Sequence, residues 1–127
     1  MGEMLVRHEP ATASVVRNEL ALDLDLQSIG TDAIDDVTLV ASELIGNAIR
    51  HASGGDRDAW VVSWTVQDGD VIISVEDPSH DLPVRRNPAP DAPSGRGLAI
   101  VETLSSDWGV EHTARGKRVW ARVRVAP

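Results

Sequence analysis

The sequence predicts an α/β two-layer sandwich, in which a mostly antiparallel mixed sheet is covered on one face by three helices. Apolar residues recur at helical spacing over residues 11–27 and again over 31–52. Strand-like runs come in two pairs, and each pair is joined by a short turn that contains glycine. Strands joined by hairpins run antiparallel, so most of the sheet is expected to be antiparallel.

Composition limits the class of protein. The chain has 127 residues, of which 42% are hydrophobic, and this is enough for one domain, 1–127, with a single core. The absence of cysteine excludes disulfides, thiolate metal sites and a catalytic cysteine. The chain has no run of about 18 apolar residues, the length expected of a membrane-spanning helix. No signal peptide is found, so a cytoplasmic protein is expected. A net charge of −8 argues against direct nucleic acid binding.

The first half of the chain predicts one strand and two helices. Residues 3–8 form a short strand, and Pro10 suits the first turn of a helix over 11–27 that stops at Gly30. Thr31 or Asp32 caps a second helix that runs to about Ala52. Its buried face is formed by apolar residues at helical spacing: Ile34, Val37, Ala41, Leu44 and Ala48.

The second half predicts two hairpins around a loop and a helix. The runs 59–66 and 70–77 are joined at Asp68-Gly69, a pair that favours a two-residue hairpin turn. The proline-rich stretch at about 78–94 is a single long loop, and loops of this length in small domains are often lids or binding segments. A third helix over 98–106 and a terminal hairpin, 108–114 with 116–126, complete the order.

The second helix carries four polar residues along one edge of its buried face: Glu43, Asn47, Arg50 and His51. These four residues, called the column here, centre about 90° from the apolar stripe on the helical wheel. They offer a base, an oxygen ligand for a hard cation and two groups suited to phosphate oxygens, as a nucleoside triphosphate with Mg²⁺ requires. A solvated polar edge with i,i+4 pairs, such as Asn47 with His51, is the alternative.

Two further features favour a nucleotide site. Asp77 ends a strand just before the loop, where a carboxylate could contact a base, although aspartate also commonly starts turns. The run Ser94-Gly95-Arg96-Gly97-Leu98 leads into the third helix, where backbone N–H groups can approach an anion. A Gly-x-Gly run alone also fits a tight turn.

As an ensemble, Glu-x-x-x-Asn-x-x-x-His on a helix, an Asp after a strand, a lid and Gly-Arg-Gly-Leu resemble the Bergerat-fold (GHKL-type) ATPases, the superfamily of gyrase and the histidine kinases. Within it, GRGLAIVETLSSDWGVE (95–111) and GKRVWARV (116–123) make the chain most similar to the RsbW-type anti-sigma factor serine/threonine kinases. The resemblance extends from the first helix to the last strand.

The resemblance implies a role for each site residue. Glu43 would be the general base or water-orienting carboxylate, and Asn47 the Mg²⁺ ligand. Arg50 and His51 would lie near the phosphates of ATP, and Asp77 would accept a hydrogen bond from the adenine amino group. The phosphate-facing end of the lid and the helix start would be formed by Ser94, Gly95, Arg96, Gly97 and Leu98.

The resemblance also implies a function based on exchange of partners. In this family a γ-phosphate passes to a serine of a small antagonist protein of the STAS type, and the kinase sequesters a sigma factor until the partners exchange. A homodimer is implied as well, and Arg17 on the first helix is at a position where such proteins often contact a partner.

One departure from the superfamily pattern keeps two alternatives open. Asp-x-Gly-x-Gly is replaced by Asp77-Pro78-Ser79-His80-Asp81, so both glycines that permit a close backbone approach are missing, while Asp77 can still contact adenine. A non-catalytic or weakly ATP-binding module of the same fold that sequesters its partner is one alternative. An ATP-hydrolysing conformational switch is the other.

Overall fold

The computed structural model of the chain describes residues 2–6, 11–51, 60–77, 93–114 and 116–125, except for the side chains of 49–51 and 93–98. Its elements follow the predicted order: β1 (Gly2–Val6), α1 (Thr12–Leu26), α2 (Thr31–His51), β2 (Trp60–Gln67), β3 (Asp70–Asp77), α3 (Pro93–Leu104), β4 (Asp107–His112) and β5 (Lys117–Arg124). None of the helices in these ranges is long and apolar enough to span a membrane.

The five strands form one sheet in the order β1-β2-β3-β5-β4. All four neighbouring pairs within the described sheet are antiparallel, where the sequence predicts a mostly antiparallel mixed sheet. The chain leaves β3 at Asp77 and comes back beside it only in β5, which begins at Lys117. Two residues separated by 40 positions in the sequence are therefore opposite each other, where β3 ends and β5 begins.

The core lies between one face of the sheet and the helices. Alternate strand residues point to this face because successive side chains of a strand alternate. Trp60 and Trp64 share it, as their parity predicts, and the helices cover it with apolar residues of their own. The fully buried helix residues include Val16, Leu20, Leu24, Val37, Val40, Ala41 and Ile45. The two-layer sandwich is confirmed.

The opposite face of the sheet is more polar. Ser63 and Ser74 share a hydrogen bond of 2.7 Å between their hydroxyl groups, and an ion pair joins Arg118 to Glu111. These side chains line a shallow concavity of about 480 Å³ together with the indole of Trp120. Antiparallel sheets commonly leave one face open to solvent in this way.

The turn between α1 and α2 differs from the prediction. Ser28, at φ 66°, is the residue in the left-handed region, and the Ile29 N–H donates to the Leu24 carbonyl at 3.0 Å. Helices commonly end on such a residue. Gly30 instead accepts the first hydrogen bond of α2, from the Ile34 N–H at 3.0 Å. Gly30 is therefore the N-cap of α2, which begins at Thr31, and the cap expected at Thr31 or Asp32 is wrong by one or two residues.

The hairpin between β2 and β3 is confirmed. Asp68 and Gly69 have φ values of 54° and 80°, and a turn with both central residues at positive φ matches the twist of its flanking strands. Gln67 pairs with Asp70 across the turn. The turn fixes the register that brings Trp64 and Ile73 opposite each other on the buried face.

A hydrogen bond ties α1 to the sheet. The indole N–H of Trp64, a side chain that is 4% exposed, donates to Asp23 Oδ2 at 2.6 Å. Asp23→Ala is expected to lower the free energy of unfolding by about 1.5–3 kcal/mol, because the acceptor is charged and the indole N–H loses its partner. Urea unfolding measures the loss. Asp25→Ala removes an exposed carboxylate from the same helix and serves as the control; equal losses in both variants would contradict the prediction.

Candidate functional site

The first two residues of the column, Glu43 and Asn47, lie in the second half of α2. Glu43 is half-buried, as expected for the edge of a buried face. Asn47 is only 5% exposed and so lies deeper than the edge position predicted for it. It follows Leu44 by three residues and precedes Ala48, and both of these pack in the core. Glu43 thus lies at the predicted edge, while Asn47 belongs to the buried surface of α2.

The amide of Asn47 has an unusual environment. Its Oδ1 is buried and makes no hydrogen bond to any part of the chain that the structure describes. A buried amide oxygen without a partner is unfavourable by about 1–3 kcal/mol, so such groups are rare in folded proteins. Amide oxygens are ligands of hard cations such as Mg²⁺. The position can therefore accept one bond from a group outside the protein.

Asp77 and Lys117 form a buried ion pair. Asp77 Oδ2 lies 3.8 Å from Lys117 Nζ, and the two side chains are 0% and 2% exposed. Asp77 follows Val75 on the buried face of β3, and Lys117 precedes Val119 on the same face of β5. The carboxylate thus points into the core side of the sheet and ends there beside a positive charge.

Lys117 was not among the residues singled out in the sequence. Alternation with Val119, Ala121 and Val123 places it on the buried face of its strand, and that signal is present in the sequence. The carboxylate of Asp77 offsets part of the cost of burying its charge. This contact could not be predicted, because no local pattern indicates that β5 pairs with β3.

Helix α2 contacts the other elements that carry candidate groups. It packs against β3, β5 and α3. The helix that carries Asn47 is therefore a neighbour of the two strands that carry the Asp77–Lys117 pair.

The start of α3 differs from the prediction. The helix begins at Pro93, where the sequence predicts a start at residue 98. Proline suits a first helical position because its fixed φ is helical and its missing N–H is not needed there. Ser94, Gly95, Arg96, Gly97 and Leu98 consequently belong to the first turns of α3. The N–H groups of a helix's first turn have no partner within the helix and can bind an anion.

Several predicted features lie outside the described residues. Of the lid predicted at about 78–94, residues 78–92 lie outside the described residues. Arg50 and His51 belong to the last turn of α2, but their side chains lie outside the described part, as do those of residues 94–98. Their predicted positions near a phosphate stay predictions.

The described residues fit a shared metal ion better than a protein-only metal site. Among them, no group of three or more His, Asp or Glu side chains could hold a metal ion. Mg²⁺ commonly takes one or two protein ligands and completes its shell with phosphate oxygens and water. Asn47 Oδ1, buried and unpaired within the described chain, fits that pattern.

Arg17 lies on the exposed side of α1, next to α2. Its guanidinium approaches the hydroxyl groups of Ser42 and Ser14, each at 3.4 Å. Arg17 therefore connects the exposed surfaces of α1 and α2. Its predicted contact with a partner protein stays a prediction.

Solved structures resemble this fold. The crystal structure of the RsbU and RsbW domains of Rv1364c from Mycobacterium tuberculosis matches with a TM-score of 0.77 and 25% identity, over 99% of this chain and 33% of that chain. This chain thus spans about a third of the mycobacterial one. The histidine kinase domain of the Erythrobacter litoralis EL346 blue-light activated histidine kinase matches with a TM-score of 0.51 and 23% identity, over 73% of this chain and 45% of the other.

A second structure of the Erythrobacter litoralis EL346 kinase matches with a TM-score of 0.54 and 22% identity, over 76% of this chain and 32% of that one. The two likenesses to this kinase show a shared fold. The comparison with curated protein sequences gave no match. The family model described as histidine kinase-like ATPase domain matches residues 6–123, almost the entire chain. The chain therefore belongs to the histidine kinase-like ATPase domain family, and its fold is the GHKL-type, RsbW-like one.

Proposed function

We propose that the chain binds ATP with Mg²⁺ and acts as an anti-sigma factor and protein serine/threonine kinase. The observation that carries the nucleotide site is the buried amide oxygen of Asn47 on α2, which has no hydrogen-bond partner among the described residues, with the half-buried carboxylate of Glu43 one turn earlier. Membership of an ATPase domain family supports a nucleotide as the ligand. The likeness to a structure that contains an RsbW domain supports the regulatory role.

Each residue has a proposed role. Asn47 holds Mg²⁺ through its amide oxygen, and Asp77 accepts a hydrogen bond from the adenine amino group. Arg50, His51 and the first turn of α3, with Ser94, Gly95, Arg96, Gly97 and Leu98, bind the phosphates. The proline-rich segment acts as the lid over the nucleotide.

Glu43 is the proposed general base. A carboxylate that remains partly exposed can reach a serine hydroxyl of a protein substrate and accept its proton as the oxygen attacks the γ-phosphate. Mg²⁺, when bound, supplies neutralisation of the phosphate charge. Phosphoryl transfer otherwise depends mainly on positioning, which the buried groups on α2 and β3 are suited to provide.

The proposed partners are proteins. The net charge of −8 disfavours contact with nucleic acid, so an effect on transcription would act through a sigma factor. A STAS-type antagonist would be the substrate, and a homodimer is the proposed assembly. The match covers only 33% of the mycobacterial chain. The sigma factor, the antagonist and the homodimer are therefore proposals for this chain.

Calorimetric titration with ATP, with and without Mg²⁺, tests the nucleotide site. The chain is expected to bind ATP in a Mg²⁺-dependent manner, and Asn47→Ala is expected to weaken Mg²⁺-dependent binding by at least about tenfold. Asn18→Ala, at an exposed position of α1, should bind as the unmodified chain does. No binding at millimolar ATP, or full Mg²⁺ dependence in Asn47→Ala, would contradict the assignment.

A further inference from the structure

The Asp77–Lys117 pair includes a lysine in the interior of the protein. Lys117 is 2% exposed, although lysine is almost never fully buried unless it is paired. The proposed roles above use Asp77 and leave Lys117 unexplained. Its ammonium group stands 3.8 Å from the carboxylate oxygen, on the neighbouring strand and on the same face of the sheet.

The pair places an acceptor and a donor side by side. A carboxylate offers only acceptors, with about four acceptor directions, and an ammonium offers only donors, of which it has three. The pair therefore presents an acceptor beside a donor. Because β3 and β5 are hydrogen-bonded neighbours, the backbone places the two residues directly opposite each other.

Adenine presents the complementary pattern along one edge. Its 6-amino group donates, and the adjacent ring nitrogen N1 accepts. Guanine and hypoxanthine present the reverse, with an O6 acceptor beside an N1–H donor. In the same pose they would set O6 against the carboxylate and N1–H against the ammonium, so both contacts would be lost.

We propose that Lys117 is a specificity-determining residue: together with Asp77 it reads the adenine edge, the carboxylate accepting from the 6-amino group and the ammonium donating to N1. The proposal rests on the proposed nucleotide site. A purely structural ion pair, the alternative, would support folding and leave the choice of base unaffected.

The first test uses the unmodified chain and varies the edge of the base that the pair is proposed to contact. Binding by calorimetry is compared for ATP, for 1-deaza-ATP, which has C–H in place of N1, and for inosine triphosphate. Loss of a hydrogen bond to a charged group predicts weaker binding of 1-deaza-ATP by about 10- to 100-fold. Inosine triphosphate is expected to bind more weakly still, because it mismatches both groups.

The second test locates the N1 contact on the protein. In Lys117→Met the preference for ATP over 1-deaza-ATP is expected to fall to within about twofold, since no donor to N1 remains. Arg118→Met removes a positive charge from the next residue, which is exposed on the opposite face, and should keep the preference. Circular dichroism verifies that both variants fold.

The outcomes separate this inference from the proposed function. No binding of ATP by the unmodified chain would overturn both. ATP binding with equal affinity for 1-deaza-ATP would overturn the role of Lys117 and leave the nucleotide site intact, and this comparison needs no variant. An undiminished preference in folded Lys117→Met would also overturn it.

Discussion

Replacing Glu43 with glutamine is expected to slow phosphoryl transfer to an antagonist serine by about 10²- to 10⁴-fold, the range that a general base contributes. Glutamine keeps the size and polarity of the side chain but cannot accept the proton of the attacking hydroxyl. ATP affinity should change little, because the groups proposed to hold the nucleotide lie elsewhere. Mass spectrometry of the antagonist after incubation with ATP measures the transfer, and calorimetry measures the binding.

Glu19→Gln, an exposed glutamate on α1, is the matched control and should transfer phosphate at the normal rate. Unchanged transfer in Glu43→Gln would remove Glu43 from the mechanism. If the unmodified chain binds its partner but transfers no phosphate, the sequestering module becomes the better description. Steady phosphate release by the chain alone, without a protein substrate, would indicate the ATP-hydrolysing switch.

Asp77→Ala is expected to have the largest effect on stability, a loss of about 3–5 kcal/mol in the free energy of unfolding. The substitution leaves the ammonium of Lys117 buried without its carboxylate neighbour at 3.8 Å. It should also weaken ATP binding, since the acceptor for the adenine amino group is gone. Urea unfolding gives the first quantity and calorimetry the second.

A double variant separates the two effects. Asp77→Leu with Lys117→Met replaces the ion pair by apolar groups, which is often neutral or stabilising in buried positions. Stability should therefore recover, while ATP binding should not. Glu111→Ala, which breaks an exposed pair with Arg118, should lose no more than about 1 kcal/mol. Restored ATP affinity in the double variant would show that Asp77 acts only through the fold.

Much of this fold follows from local patterns in the sequence. The period of the apolar residues places α1 and α2 within one or two residues of their observed bounds. Asp68-Gly69 specifies its turn because both residues tolerate positive φ. The end of α1 was less predictable, because Ser28 takes the left-handed conformation that Gly30 would adopt more readily.

The placement of the candidate site residues was predictable where one element carries the signal. The helical wheel of α2 predicts that Glu43 and Asn47 lie beside its apolar face. The burial of Asn47 depends in addition on how β3, β5 and α3 pack against α2. The role open to Lys117 depends on a pairing of β3 with β5 across 40 positions of sequence, which no local pattern specifies. The early start of α3 reflects a proline that suits a helix start as well as a loop.

The hairpin turn at Asp68 also provides a place to attach a reporter. β3 runs from Asp70 at the turn to Asp77, so the turn lies about 23 Å from the buried pair at about 3.3 Å per residue. Because the chain has no cysteine, a thiol introduced at the exposed end of β2 by Gln67→Cys would be unique. A fluorophore there could follow nucleotide and partner binding in real time without altering any residue proposed to contact either ligand.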